Sequence, residues 1–179
     1  MQKLRRTTNK PLALLVTLLL ACGLHACQEP IPTHQLQALP EHRLCATDTL
    51  FFIAPLSDST QTYQISFTAR TDRSVPASLW SLEITAEAPS GPSYREVIQL
   101  PCDVDRVTDY LSQCRENNEA PTLRLESGPA GNDWTWQYRR NIQPNENGTW
   151  KIALRLLEPT PLEGIHCFGI ICTPENHEQ

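Results

Sequence analysis

Several segments of this chain alternate apolar and polar residues with a period of two, and that pattern narrows its fold more than any other feature. Tyr63, Ile65, Phe67 and Ala69 alternate with Gln64, Ser66 and Thr68, and Trp80, Leu82, Ile84 and Ala86 with Ser81, Glu83, Thr85 and Glu87. Trp134, Trp136 and Tyr138 are spaced by Thr135, Gln137 and Arg139, and Trp150, Ile152, Leu154 and Leu156 stand opposite Lys151 and Arg155. Successive side chains on a strand point to opposite faces, so each segment predicts a strand with one face in a core and one in water. Shorter strands are predicted at residues 49–54, 95–100, 122–126 and 164–172. Turn chemistry separates them at Pro89-Ser90-Gly91-Pro92, Gly128-Pro129-Ala130-Gly131-Asn132 and Asn145-Glu146-Asn147-Gly148. Many short strands divided in this way read as an all-β, antiparallel sandwich, jelly-roll-like. One segment departs from the rule. Val104, Val107, Leu111 and Cys114 recur at helical spacing, which predicts a short helix over residues 103–115 with Asp103 or Asp105 as its cap.

The N-terminus follows different rules. Lys3, Arg5, Arg6 and Lys10 precede an apolar run from Pro11 to Ala21 broken only by Thr17. A positive start, a short apolar stretch and a small residue before the cut make a secretory signal. The run is shorter than the roughly 20 apolar residues a membrane-spanning helix needs. Leu19-Leu20-Ala21-Cys22 resembles the bacterial lipobox, whose cysteine accepts diacylglycerol. Leu24-His25-Ala26-Cys27 is the alternative, and the Gln28-Glu29 that follows it resembles a surface-export signal of Bacteroidota lipoproteins. The apolar run ends at Cys22, which favours that thiol. Residues 1–21 are therefore read as a lipoprotein signal peptide, 22–43 as a tether containing Pro30, Pro32 and Pro40, and 44–179 as the β-domain.

Export also frames the cysteines and the charge. Of seven cysteines, lipidating Cys22 leaves Cys27, Cys45, Cys102, Cys114, Cys167 and Cys172, an even set in a compartment that permits disulfides. Cys45, Cys102, Cys114, Cys167 and Cys172 are the domain's candidate disulfide cysteines, with Cys102 and Cys114 close enough in sequence to be local partners. Cys167 and Cys172 cannot bridge on one straight strand, because about 3.3 Å per residue holds them too far apart. The chain has 15 basic and 20 acidic residues; without the four cations of the signal, 11 face 20, a formal charge of −9. That balance excludes nucleic acid as a partner and leaves membrane attachment to acyl chains rather than to electrostatics.

No catalytic constellation is legible. The chain lacks Gly-x-Ser-x-Gly, His-Glu-x-x-His and a phosphate-binding glycine loop. His166 and Cys167 are adjacent, but neighbours on a strand diverge. Asp103-Val-Asp105-Arg-Val-Thr-Asp109 has calcium-loop character without the sixth-position glycine, and Cys114 stands where the bidentate Glu belongs. No Cys-x-x-Cys pair occurs and the histidines are scattered, so no metal and no cofactor are expected. Asp48-Thr49-Leu50 and Asp58-Ser59-Thr60 fit an O-glycosylation pattern of Bacteroidota periplasmic proteins. Core packing is the first expectation for the tryptophans; Trp134 and Trp136, with Tyr138, are the candidates for a ligand-facing glycan platform.

The order of segments carries a resemblance. A lipobox precedes Asp48-Thr49-Leu50-Phe51-Phe52; then come Tyr63-Gln-Ile-Ser-Phe-Thr-Ala-Arg70-Thr and Val75-Pro76-Ala77-Ser78-Leu79-Trp80-Ser81-Leu82-Glu83-Ile84. Gly148-Thr149-Trp150 with Arg155 follows, and last Pro161-Leu162-Glu163-Gly164-Ile165-His166-Cys167-Phe168-Gly169-Ile170. This resembles the gliding-motility lipoprotein family GldH of Bacteroidota over residues 44–172, with residues 103–115 as an insertion. The resemblance implies a non-enzymatic, lipid-anchored component of the cell envelope, at the outer membrane, with gliding or secretion proteins as partners. It carries no catalytic residues. The rival expectation is an envelope β-sandwich that binds glycans.

Overall fold

The computed structural model describes residues 32–75, 79–117 and 120–175. The expected signal peptide, Cys22, Cys27 and the first part of the tether lie outside them. Among the described residues eleven strands run in order: β1 (Thr33–Ala38), β2 (Arg43–Leu44), β3 (Thr49–Leu56), β4 (Thr62–Thr71), β5 (Leu79–Glu87), β6 (Ser93–Pro101), β7 (Leu123–Gly128), β8 (Gly131–Ile142), β9 (Gly148–Leu156), β10 (Leu162–Glu163) and β11 (Ile165–Glu175). One helix, α1 (Val104–Asn117), lies between β6 and β7. No described helix is long and apolar enough to cross a membrane.

The strands form two facing antiparallel sheets, ordered β1-β11-β4-β8-β7 and β3-β9-β5-β6, with β2 and β10 as a small ribbon. Without β7, each sheet has four strands in jelly-roll order, and β7 adds an edge beyond β8. The alternation read from the sequence is what packs the interior. On β3, Leu50, Phe52, Ala54 and Leu56 are buried while Thr49, Phe51, Ile53 and Pro55 are exposed. β4, central in its sheet, is buried on both faces for most of its length. Fully buried Phe67, Trp80, Leu82, Ile84, Trp134 and Phe168 join the two inner faces.

Aromatic contacts bind one end of the sandwich. Trp80 of β5 meets Trp136 of β8 across the core at 5.5 Å between ring centroids, and Trp136 lies parallel to Trp134 at 5.7 Å. Trp136 also stacks on Phe168 of β11 at 6.5 Å. Such pairs add about 0.5–1.5 kcal/mol each beyond the area they bury. The indole of Trp134 donates to Thr71 Oγ1 at 3.0 Å and that of Trp136 to the Pro101 carbonyl at 2.8 Å. Both rings are thus satisfied inside the protein.

The expected helix is present. Asp103 is its cap, its Oδ1 accepting the backbone N–H groups of Asp105 and Arg106 at 3.1 Å. Val107 and Cys114 are buried, and the helix packs against β7. Tyr110 Oη accepts the Thr122 backbone N–H at 3.1 Å, holding the turn between α1 and β7.

One boundary differs from expectation. The sequence reads residues 22–43 as a tether, yet Thr33–Ala38 is a strand paired along its length with β11. Among the described residues the paired structure begins at Thr33 rather than at residue 44. The sequence hid this strand because β1 is an edge. Its residues are mostly exposed, so His34, Gln35 and Gln37 need no apolar alternation. Pairing instead depends on Gly169, where an added Cβ would stand 2.3 Å from the Gln35 carbonyl oxygen and 2.6 Å from Leu36 Cδ2. Gly169→Ala should therefore destabilise the fold by about 1–3 kcal/mol in urea titration. Amide exchange should rise first in β1; unchanged protection there would contradict the close fit.

Candidate functional site

At the end of the sandwich away from the tryptophan cluster, the sheets part to leave a cleft of about 470 Å³. Pockets of a few hundred Å³ with apolar walls and a few polar groups are the usual form of a binding site. The walls include Leu56, Ile65, Ile84, Ile142 and Ile152 from both sheets. Tyr94, Tyr138, Arg139, Gln143, Asn145 and Trp150 supply its aromatic and polar groups. Tyr94 stacks on Trp150 at 6.1 Å.

A distortion of β8 builds the polar side. Tyr63 pairs with Ile142, Ile65 with Arg139 and Ser66 with Gln137, so β8 carries a surplus residue twice and Tyr138 falls in a gap. On a regular strand Tyr138 and Arg139 would point to opposite faces. The bulges turn both toward the cleft. Asn141, in the same stretch, takes the left-handed conformation at φ 53°. Glu175 holds it there: its Oε2 accepts the Asn141 N–H at 2.7 Å, and its Oε1 accepts from Arg140 at 3.4 Å.

Tyr138, Arg139 and Glu96 of β6 form a polar bridge between the sheets. The Glu96 carboxylate accepts from the Tyr138 hydroxyl and, at 2.7 Å, from the Arg139 guanidinium. The Arg139 cation also lies 5.2 Å from the centre of the Tyr138 ring. Burial pushes the Glu96 carboxyl up, but the hydrogen bonds from Tyr138 and Arg139 outweigh it and leave the group below its usual range. Burial first, then the bond to Glu96, pushes Tyr138 up to about 12. Hydroxyl and carboxylate thus hold opposite protonation states at neutral pH, and the donor and acceptor are fixed.

The residues singled out from sequence are distributed differently. Trp134 and Trp136 do not face a ligand: they are 0% and 3% exposed and belong to the core. The turn beside them suggested access, but both side chains fall on the inner face of β8. Of the three aromatics proposed as a platform, only Tyr138 reaches the cleft. Among the described residues no bridge joins Cys45, Cys102, Cys114, Cys167 and Cys172. Cys167 and Cys172 stand on opposite faces of β11, one half-buried and one in the core. Burial pushes the Cys172 thiol up to about 11, and burial with the Glu158 carboxylate pushes Cys102 up as well. Burial and Asp48 do the same at Cys45, so none of these three is turned toward thiolate.

His166 pairs with Asp72 at 2.8 Å and packs against His42 at 4.2 Å, away from Cys167 chemistry. No group of three or more potential metal ligands comes together among the described residues. Asp58 Oδ1 accepts both the N–H and the hydroxyl of Thr60, so that candidate glycosylation triplet is folded on itself. Tyr94, Glu96, Arg139, Gln143 and Asn145 had no sequence signal, because bulges and the pairing of separate strands bring them together.

Two outcomes test this geometry. Glu96→Gln should lower the Tyr138 pKa toward the ordinary tyrosine value of about 10, since a carboxylate and its bond are lost while burial stays. Tyrosinate absorbance reads that shift, and an unmoved titration would disprove the pairing. Asp133 is likewise held below the carboxylate range, chiefly by its bond to Arg70. For Glu96 and Asp133 the stabilisation is present above the unfolded carboxylate range, about pH 4, and is lost as pH falls through the lower folded values. Their partial exposure keeps the effect small. In E96Q the acid-side fall in unfolding free energy should be shallower than in the native chain.

No family model matches the chain, and no curated protein matches it. A solved structure, the dimeric latent PorU from Porphyromonas gingivalis, aligns with 84% of this chain at 12% identity and a TM-score of 0.33. The aligned part is 13% of that protein's chain, and at this score the likeness carries no inference about fold or function.

Proposed function

We propose that this chain is a lipid-anchored, non-enzymatic protein of the bacterial cell envelope that works by binding other envelope proteins, as its resemblance to GldH implies. The observation that carries the reading is the cleft. Its exposed or half-buried groups include Tyr94, Tyr138 and Arg139, backed by Trp150. Tyr, Trp and Arg are the side chains that most often anchor protein partners. The glycan reading loses its support, since Trp134 and Trp136 are buried and the cleft walls offer mainly aliphatic carbon to a ligand rich in hydroxyls.

Distance from the membrane supports the same reading. From Cys22 to Thr33 is 11 residues, which extended would reach at most about 40 Å. Acylated at Cys22, the sandwich would stay close to the bilayer, within reach of proteins embedded in it. Gliding and secretion components are the partners the resemblance suggests, at the outer membrane.

Cross-linking the intact protein in its own membrane and identifying its neighbours tests this. Gliding or secretion components are the expected products. Recovery of peptidoglycan or other glycan alone would refute the proposal. Cys22→Ser should abolish metabolic labelling by palmitate and release the protein from the membrane fraction. Undiminished labelling would move the anchor to Cys27.

A further inference from the structure

Four strands end the two sheets, and among the described residues three of them have another element against them. β1 and β3 approach each other across one flank, where the Gln35 side-chain amide accepts the Ile53 N–H at 2.9 Å and donates to the Ile53 carbonyl. That side chain satisfies both backbone groups of Ile53, midway along the outer edge of β3. β7 is six residues long and α1 packs against it. β6 differs. It is nine residues long, has no proline before Pro101, and no described strand pairs with its outer edge. Bare edges of this length recruit other strands, and proteins ordinarily block them.

The edge is continuous with the cleft. On β6, Tyr94, Glu96, Ile98 and Leu100 lie on the inner face, opposite Ala86, Ile84, Leu82 and Trp80 of β5. Ala86, Ile84 and Tyr94 line the cleft. On the facing sheet β7 pairs with β8 only from Gly131 to Trp136, so no described strand flanks the bulged half of β8 on that side. The flank next to residues 93–97 is bridged by Glu96 with Tyr138 and Arg139.

We propose that the outer edge of β6 takes an extended segment of a partner protein as an added strand, whose inward side chains enter the cleft beside Tyr94. This deepens the envelope-interaction reading and rests on it. Backbone pairing with β6 supplies affinity, and alternate side chains supply specificity. The inward residues of the segment are apolar, to match Leu56, Ile142 and Trp150. Its outward residues meet Arg95 and Val97, whose exposed positions favour an acid and an apolar residue respectively. The Arg95 side chain is 68% exposed and its only ion-pair contact among the described residues is with Glu83 at 3.9 Å, so its charge is available. A fatty acid in the cleft is the rival occupant. It would use the apolar walls but leave the β6 backbone unpaired.

Selection of a random decapeptide display library on the full-length chain in detergent micelles tests the proposal. The enriched peptides should alternate apolar and polar residues and carry an acid. Bound, they should protect backbone amides within residues 93–99 from hydrogen exchange. Alternate N-methylation should weaken them at least about tenfold by removing strand bonds. Arg95→Glu, a change on the solvent face that leaves the core intact, should weaken acidic peptides by about twofold to fivefold, the scale of one cross-strand pair. Failure to enrich, binding indifferent to N-methylation, or protection at another edge would overturn strand addition. So would displacement of the peptides by palmitate with no exchange protection in β6. Cross-links in the native membrane read the broader function separately, so the two failures are distinguishable.

Discussion

Trp80 resting against Trp136 is the contact on which the rest of the sandwich depends. It ties β5 of one sheet to β8 of the other, and Trp134, Phe168 and the Pro101 carbonyl lock the same rings in place. Large rings fixed on the inner face leave β8 a single register. Farther along the same strand, the bulges break that alternation and aim Tyr138 and Arg139 into the gap between the sheets. The dense end and the open end are thus two consequences of one strand. Truncating Trp136 would remove core contacts worth about 3–5 kcal/mol, whereas the cleft contributes little to burial and is free to be a surface for recognition.

Charge follows the same division. The outer face of the second sheet is laced by Lys151–Glu87 at 2.8 Å and Arg155–Glu83 at 3.2 Å, exposed pairs that favour solubility of that face more than stability. The pair that differs is Arg139–Glu96, since it reaches from one sheet to the other and shares its carboxylate with Tyr138. The half-buried Tyr138 hydroxyl on the same carboxylate, its pKa raised by burial, sets this bridge apart from the other ion pairs. A bridge of this kind holds the cleft at a set width while keeping its mouth polar.

Much of the fold was legible in the residues. The alternating runs from Tyr63, Trp80, Trp134 and Trp150 are strands with the expected inner faces, and Asp103 caps the one helix found where the period changes. β1 was not legible, because an edge strand needs no apolar alternation and its partner's requirement is a glycine, Gly169, distant in sequence. From sequence Trp134 and Trp136 are candidate ligand contacts, Trp134 for its nearness to a Gly/Asn turn. The register of β8 put them in the core. The cleft itself was invisible, since its polar groups come from β6, β8 and the β8–β9 connection and meet only through pairing.

The sequence by itself determined the alternation, the turns and the helix cap, because each depends on residues within a few positions of one another. It also carries the acidic balance, which is a matter of composition. Only the tertiary structure decided which aromatic rings are buried, which cysteines stand apart, and which edge is left uncovered. Those outcomes depend on contacts between residues far apart in the chain and on bulges that break the period of two. No local pattern encodes where such a break will aim a side chain.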